Sequence, residues 1–152
     1  GIGVYAGLTP VEVEGATGLY DTNYEGKAAA ALRALREEDF VFLHIEASDE
    51  AGHEGDVDLK VRTIEAFDAR VVKPIFEAIS AWDEPVSLAI LPDHPTPCSL
   101  RTHTGSAVPF VIWRSGCHPD MVGVYDEQSA RKGRYGHLRG DQFIDLFIHG
   151  TE

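Results

Sequence analysis

Three segments of the chain carry residue patterns that are typical of helices. Strong helix formers fill 28–36 and follow a run of three N-cap candidates, Asp-Thr-Asn, so a helix is predicted there. Apolar residues recur every three to five positions from about 56 to 80, which predicts an amphipathic helix that Pro74 kinks or divides in two. The amphipathic segment 141–148 predicts a short final helix.

Continuous apolar runs alternate with these helices and predict buried strands. The runs cover Phe40–Ile45, 85–91 and 108–113. Two shorter β-type runs, 4–6 and 11–13, predict short strands in the glycine-rich opening. Buried strands that alternate with helices are typical of the α/β class. We therefore expect an α/β layered sandwich with a largely parallel central sheet flanked by helices.

Carboxylates and imidazoles directly follow the first two buried strands. Asp49 and His53 come after the first strand. Asp93 and His94 come after the second, and His103 precedes the third from the same side. Ligand sites in open α/β sheets gather outside the carboxyl ends of the strands, so these side chains are expected to meet at one edge. Carboxylate oxygen with neutral imidazole nitrogen suits Zn²⁺ or Mn²⁺ better than Ca²⁺, which predicts a metal site.

Each motif taken alone is also explained by a solvated loop, and only their joint position at consecutive strand ends favours the metal site. Gly52 removes a side chain between Asp49 and His53, so the loop is expected to fold back and aim both at one ion. Asp93 and His94 are adjacent and diverge in extended backbone. A turn could bring them to one ion, or they could serve neighbouring ions, and the spacing leaves both alternatives open.

The net charge of −12 narrows the classes of partner. An acidic surface repels nucleic-acid phosphate and anionic lipid, so neither is an expected partner, and no apolar run has the length of a membrane span. The same charge would repel an anionic substrate unless bound cations reversed the local field. The two cysteines are too few for a disulfide framework and predict free thiols in a reducing cytoplasm.

The remaining polar residues support weaker hypotheses. Arg101 is a candidate for bidentate phosphate binding, with a surface ion pair as an equal alternative. His44 lies on the first predicted strand, where a core histidine is the expected role. No serine of this chain can be paired with a base, so no nucleophile is assigned. The segment 114–140 is expected to be irregular, and its basic run 131–140 to be a solvated loop.

Four segments taken in order resemble a known enzyme family: GATGLYDTNYEGKAAAAL, DFVFLHIEASDEAGHEGD, LAILPDHPTPCSLRTHT and AVPFVIW. Together they resemble the C-terminal half of cofactor-independent phosphoglycerate mutases, and most closely the archaeal-type branch. These enzymes belong to the alkaline phosphatase superfamily of metalloenzymes. The similarity runs from about Gly1 to Trp113 and is weaker after Arg114.

The resemblance implies an alkaline-phosphatase-like fold and two divalent metal ions, Mn²⁺ or Zn²⁺, with Mg²⁺ as a further candidate. Asp49 and His53 match the D-x-x-G-H pair of one ion, and His103 matches its third ligand. Asp93 and His94 match the D-H pair of the second ion. The resemblance thus favours a shared ion for these two adjacent residues.

The resemblance also implies that 1–152 is the C-terminal part of the metal-binding phosphatase-like domain. The nucleophilic serine, a further aspartate ligand and an inserted substrate domain would lie in a missing N-terminal half. The fold is then expected to be incomplete and the fragment inactive alone. Because Gly1 is not methionine, the chain is expected to begin after processing, cleavage or truncation. The implied reaction is a glycolytic isomerisation that interconverts 3-phosphoglycerate and 2-phosphoglycerate through a phosphoserine.

Two other functions compete with this one. Superfamily relatives include phosphatases and phosphotransferases, so the same site could act on another small phosphorylated metabolite, as in a homoserine kinase-like role. The non-enzymatic alternative is a metal-binding or interaction module that functions as it stands.

Overall fold

The computed structural model describes residues 2–150 and divides into two compact units. The first unit comprises Gly1–Ala78 and Thr96–Thr102, and the second comprises Ile79–Pro95 and His103–Glu152. The short segment Thr96–Thr102 thus belongs with the N-terminal part of the chain. Between residues 2 and 150, none of the helices has the length and apolar character of a membrane span.

Helices make up most of the first unit. They are α1 (Ile2–Tyr5), α2 (Tyr24–Ala34), α3 (Ala47–Glu54) and α4 (Val57–Phe67), followed by a π-helical turn (Asp68–Val72) and α5 (Lys73–Ser80), whose last two residues are assigned to the second unit. Asn23 caps α2 by accepting a hydrogen bond from the Gly26 amide, and Asp56 caps α4 through the Leu59 amide. Such side chains satisfy amides that have no partner in the first turn of a helix. Both predicted helices of this region are confirmed, and Asn23, one of the three predicted N-cap candidates, caps the first.

Pro74 interrupts the long helical segment as predicted, through the π-helical turn directly before it. Proline lacks an amide hydrogen, and in a regular helix its ring clashes with the carbonyl four residues back. The Lys73 amide donates to the carbonyl of Asp68, five residues back, which widens this turn. The wider turn carries Val71, which is fully buried.

The core of the first unit forms between α2, α3 and the π-helical turn. Its buried members are Tyr24, Ala28, Ala47 and Val71, against which Leu43, Ile45, Ala66, Phe67 and Ile75 pack. The guanidinium of Arg70 lies 4.6 Å from the centre of the Tyr24 ring and donates to the Glu25 carboxylate at 2.8 Å. This core anchors the start of α3, the helix that carries the first candidate ligands.

The predicted strand Phe40–Ile45 is wrong as a strand, because no ladder partner pairs with it among residues 2–150. Leu43 and Ile45 pack against the core, whereas Phe42 is 68% exposed. His44 is also exposed, with its ring stacked on Phe42 at 6.3 Å between ring centres, so the expected core histidine is wrong too. An extended run becomes a strand only when a neighbouring strand pairs with its amides and carbonyls.

The two short strands predicted near the start of the chain are also wrong. The helix α1 occupies most of the first, where the Ala6 amide donates to the Ile2 carbonyl at 2.9 Å, and 11–13 is irregular. A preference for β structure reflects packing on a pleated surface, and the described residues offer these runs no such surface.

The second unit contains a two-stranded antiparallel sheet. β1 (Ser87–Ile90) pairs with β2 (Val111–Arg114), with Leu88 opposite Trp113. The second and third predicted strands are confirmed, and helices with a small sheet are consistent with an incomplete α/β fragment. The two strands pair antiparallel, so the predicted largely parallel sheet is not present within residues 2–150. Parallel neighbours need a long crossover that is usually helical, and the segment between β1 and β2 contains no helix.

The segment 114–140 is irregular after the end of β2, as predicted, apart from one short 3-10 helix (Ala130–Lys132). The helix α6 (Gln142–His149) confirms the predicted final helix. Arg114 joins the sheet to this helix, because its Nη2 donates to the Leu146 carbonyl at 2.8 Å. Cations near helix C-termini complement carbonyls that have no partner within the helix.

Tyr125 fastens the irregular segment to the sheet. Its hydroxyl donates to the Pro109 carbonyl at 3.0 Å and lies 3.4 Å from the carbonyl of Ile90. Burial raises the pKa of Tyr125 to about 12, so the phenol remains a donor at neutral pH. This contact holds the end of β1, from which the chain continues into Asp93 and His94.

Candidate metal centre

The helix α3 places Asp49 and His53 on one face, so the loop predicted for them is wrong. Side chains four apart on a helix are neighbours, and Asp49 Oδ2 lies 3.3 Å from His53 Nε2. Gly55 ends the helix with a left-handed φ of 73°, and its amide closes onto the carbonyls of Ala51 and Gly52. Helical backbone geometry therefore holds the two candidate ligands side by side.

Gly52 has a different role from the predicted one. It is not a hinge between the ligands but the point where α3 meets the segment Thr96–Thr102. A Cβ atom at Gly52 would overlap the carbonyl oxygen of Thr96 and would lie 3.0 Å from Lys60 Nζ. Glycine is needed here because another stretch of backbone approaches the helix closely.

The substitution Gly52→Ala is expected to destabilise the protein, although glycine to alanine inside a helix ordinarily stabilises by about 1 kcal/mol. Forcing a methyl group into the contact with Thr96 is expected to cost about 1–3 kcal/mol. Thermal and denaturant melting of the full-length gene product measures the change. The matched control is Gly123→Ala, where a Cβ would meet nothing within 4 Å. A Gly52→Ala protein as stable as the wild type would contradict this account of the contact.

Two contacts orient the Asp49–His53 pair. The Thr96 hydroxyl donates to Asp49 Oδ1, and His53 Nδ1 lies 3.1 Å from the carbonyl oxygen of Arg101. A carbonyl can only accept, so in the neutral imidazole Nδ1 carries the hydrogen and Nε2 keeps its lone pair beside Asp49. Metal-binding histidines usually donate their other ring N–H in this way. An oxygen and a nitrogen arranged like this fit a shared cation.

The other three candidate ligands lie together in the second unit. Asp93 Oδ2 is 3.3 Å from His94 Nε2, and Asp93 Oδ1 accepts the His94 amide at 3.0 Å. The turn brings these two side chains together, and both alternatives, a shared ion or neighbouring ions, stay open. The His103 ring packs on His94 with 3.7 Å between ring centres. The Thr104 amide donates to the Pro95 carbonyl at 3.0 Å, which joins the two segments that carry them.

Each unit thus presents a carboxylate and imidazole nitrogen as neighbouring donors, and this donor chemistry fits a divalent cation such as Zn²⁺ or Mn²⁺. The side chains of Asp49 and His53 are 25% and 36% exposed, so solvent can reach both. Carboxylate oxygens of Glu46, Asp49 and Glu50 also lie within 4.8 Å of one another and concentrate negative charge there. Arg101 is exposed, and its guanidinium lies beside Gly55.

Sequence reasoning missed Thr96 and Lys60. Thr96 is only 3% exposed, and its carbonyl accepts a hydrogen bond from Lys60 Nζ at 2.6 Å. The available signal was the pair of flanking prolines, Pro95 and Pro97, which restrict the backbone on both sides of Thr96. Threonine and lysine are too common for their positions alone to have marked a site.

Comparisons with known proteins agree with this donor chemistry. The family model described as the Metalloenzyme superfamily matches residues 2–148. The chain is 50% identical over 149 residues to the 2,3-bisphosphoglycerate-independent phosphoglycerate mutase of Methanosarcina acetivorans, covering 97% of this chain and 38% of that protein. It is 54% identical over 150 residues to the probable enzyme of the same name in Geobacter sulfurreducens, covering 97% and 37%.

A solved structure, that of the PH0037 protein from Pyrococcus horikoshii, is similar with a TM-score of 0.87 and 35% sequence identity. The match covers 96% of this chain and 44% of that one. The chain therefore spans less than half the length of each of these relatives.

Proposed function

The chain belongs to the Metalloenzyme superfamily, and from that membership we propose that it is the metal-binding part of a 2,3-bisphosphoglycerate-independent phosphoglycerate mutase. The observation that carries the proposal is the pairing of a carboxylate with an imidazole in each unit, Asp49 with His53 and Asp93 with His94. Similarity to the Methanosarcina and Geobacter mutases over 97% of this chain supports the choice of reaction.

Asp49, His53 and His103 are the proposed ligands of one divalent ion. Support comes from the short distance between Asp49 Oδ2 and His53 Nε2 and from the Arg101 carbonyl, which occupies the other ring nitrogen of His53. With its Nδ1 hydrogen engaged, His53 offers the ion only Nε2.

Asp93 and His94 are the proposed ligands of the second ion. Their adjacent donors come from one turn, so little chain entropy is lost when both bind. The proposal that all five ligands serve one two-ion centre is supported by the similarity of the chain to phosphoglycerate mutases.

Two bound cations would supply the positive charge that phosphoryl transfer needs on the transferring group. The five proposed ligands would hold that charge in place, in a chain whose own net charge is −12. Without the cations this chain would repel a phosphorylated substrate. Arg101, exposed beside the C-terminus of α3, is a further candidate for contact with the substrate phosphate.

The remaining parts of the proposed enzyme lie outside this chain. A serine nucleophile, a further aspartate ligand and an inserted substrate domain would come from an N-terminal half, consistent with relatives of which the chain covers about 37–38%. That half would also complete a layered, alkaline-phosphatase-like sandwich. The serine would take the phosphoryl group from 3-phosphoglycerate and return it to the 2-hydroxyl of the glycerate. The fragment alone is expected to be inactive. The proposed compartment is the cytoplasm, because two cysteines are too few for the disulfide framework of a small secreted domain.

The test is a mutase assay on the full-length gene product before and after treatment with a chelator. We expect interconversion of 3-phosphoglycerate and 2-phosphoglycerate, its loss when the metal is removed, and its return with Mn²⁺ or Zn²⁺. Mg²⁺ is tested alongside. Mutase activity that is insensitive to thorough metal removal would contradict the proposal.

A second candidate function keeps the site and changes the substrate. The family model identifies only the broad superfamily, and the chain covers about 38% of the mutases it resembles. A phosphatase or phosphotransferase acting on another small metabolite, as in a homoserine kinase-like role, would use the same ligands. A panel of phosphorylated metabolites separates the two, because clear preference for a phosphoester other than phosphoglycerate would displace the mutase proposal.

A further inference from the structure

The segment Thr96–Thr102 packs along α3 and contacts both members of the Asp49–His53 pair. Thr96 is 3% exposed, and its hydroxyl donates to Asp49 Oδ1. That bond occupies one carboxylate oxygen and leaves Oδ2 next to His53 Nε2, at 3.3 Å. A carboxylate bonded in this way cannot rotate freely about its terminal torsion.

The backbone of Thr96 is itself fixed by neighbouring residues. Its carbonyl accepts from Lys60 Nζ at 2.6 Å, and the missing side chain of Gly52 leaves room for that carbonyl against α3. Lys60 lies on α4, so two helices fix the backbone from which the hydroxyl extends. The direction of the bond to Asp49 is therefore set by packed elements of the first unit.

Arg101 orients His53, the other ligand of the pair, through its own backbone carbonyl. Its φ of 55° is left-handed, which is uncommon for a residue other than glycine. The amides of Leu100 and Arg101 both donate to the Pro97 carbonyl at 2.9 Å, and this turn aims the Arg101 carbonyl at His53 Nδ1, 3.1 Å away. Unusual backbone of this kind tends to persist where its surroundings enforce it, often at functional sites.

We propose that Thr96 and Arg101 are positioning residues that set the carboxylate rotation of Asp49 and the tautomer of His53 before a metal ion binds. The inference rests on the proposed function, because it assigns to these two residues the preparation of the first ion's ligands. Thr96 acts through its hydroxyl. Arg101 acts through its carbonyl, independently of any contact that its guanidinium makes with substrate.

The first test compares Thr96→Val with Thr63→Val in the full-length gene product. Thr63 is 4% exposed, and its hydroxyl donates to the Lys60 carbonyl within its own helix, so it matches Thr96 in burial and chemistry. We expect Thr96→Val to raise the Kd for Mn²⁺ by about 10–100-fold, the usual effect of losing a partner of a metal ligand. Thr63→Val is expected to leave Kd within a factor of about three, since its hydroxyl bonds inside the helix. Thr96→Ser, which keeps the hydroxyl, is expected to bind Mn²⁺ nearly as the wild type does.

The second test reads the His53 tautomer in the metal-free wild type by ¹⁵N NMR, at a pH where imidazole is neutral. We expect hydrogen on Nδ1 alone, and we expect Thr96→Val to leave that tautomer unchanged while it weakens Mn²⁺ binding. A mixed tautomer, or hydrogen on Nε2, would overturn the role of Arg101. A wild type that binds Mn²⁺ and a folded Thr96→Val protein with unchanged Kd would overturn the role of Thr96 alone. A wild type that takes up no Mn²⁺, Zn²⁺ or Mg²⁺ would overturn both the inference and the proposed function.

Discussion

Replacing His53 by alanine is expected to lower the proposed phosphoglycerate mutase activity of the full-length gene product by more than about 100-fold. Losing a residue that merely supports a metal ligand already costs about 10–100-fold in affinity or activity, and losing the ligand itself should exceed that. His53 Nε2 lies 3.3 Å from Asp49 Oδ2, so the substitution removes one of the two proposed ligand atoms of this pair. The measurement is kcat/KM for 3-phosphoglycerate, with metal content determined on the same samples.

The matched control is His44→Ala in the same unit. His44 is exposed and stacks on Phe42, with no role in the proposed site. Its loss is expected to change kcat/KM by less than about threefold, since surface substitutions away from such sites usually have small effects. Equal losses in both variants, or full activity of His53→Ala, would remove His53 from the metal centre.

The second large effect is expected from Asp93→Ala. Asp93 supplies the carboxylate beside His94 Nε2, and alanine removes that carboxylate from the turn. We expect activity to fall by more than about 100-fold, by the same reasoning as for His53. We also expect the bound metal to fall by one ion per chain, because the ligands Asp49 and His53 remain intact.

Asp83→Ala controls for the loss of one negative charge, since Asp83 is an exposed aspartate of the same unit. It should retain both metal content and activity. If Asp93→Ala keeps its full complement of metal and at least a tenth of the wild-type activity, the second set of ligands is wrongly assigned.

The candidate ligands could be identified from the sequence because carboxylates and imidazoles suit metal ions and because the members of each pair lie close together along the chain. Asp49 and His53 lie four apart, and Asp93 and His94 are adjacent, so local backbone alone brings each pair together. The secondary structure around Asp49 and His53 was harder to predict. The segment ASDEAGHE is polar and contains glycine, which favours a loop on propensity, yet packing of Ala47 and Ala51 buries one face and stabilises α3.

The sheet could not be predicted from the same patterns. An apolar run such as Phe40–Ile45 indicates burial, but a strand needs a partner, and the described residues provide none for it. The two runs that form β1 and β2 pair with each other. They pair antiparallel, which the non-helical segment between them allows. The hydrophobic pattern of a segment indicates which side chains it can bury. Whether the segment becomes a strand depends on which other segments of the fold lie beside it.

The contacts that orient the ligands were the least predictable feature. The Thr96 hydroxyl reaches Asp49 and the Arg101 carbonyl reaches His53 across 47 and 48 positions of sequence. Every residue has a backbone carbonyl, so the residue type does not reveal which carbonyl contacts a ligand. The left-handed φ of Arg101 is also uncommon for a residue other than glycine, so the sequence does not predict it. Such contacts follow from the tertiary arrangement and become visible only with the fold.

The most direct test of a two-ion centre is a Mn²⁺ titration of the metal-free, full-length gene product, read by calorimetry or electron paramagnetic resonance. We predict two ions per chain for the wild type, and one each for His53→Ala and Asp93→Ala. The double variant should bind none tightly. Two tightly bound ions in the double variant would contradict the proposed ligands, and so would a wild type that binds no divalent cation.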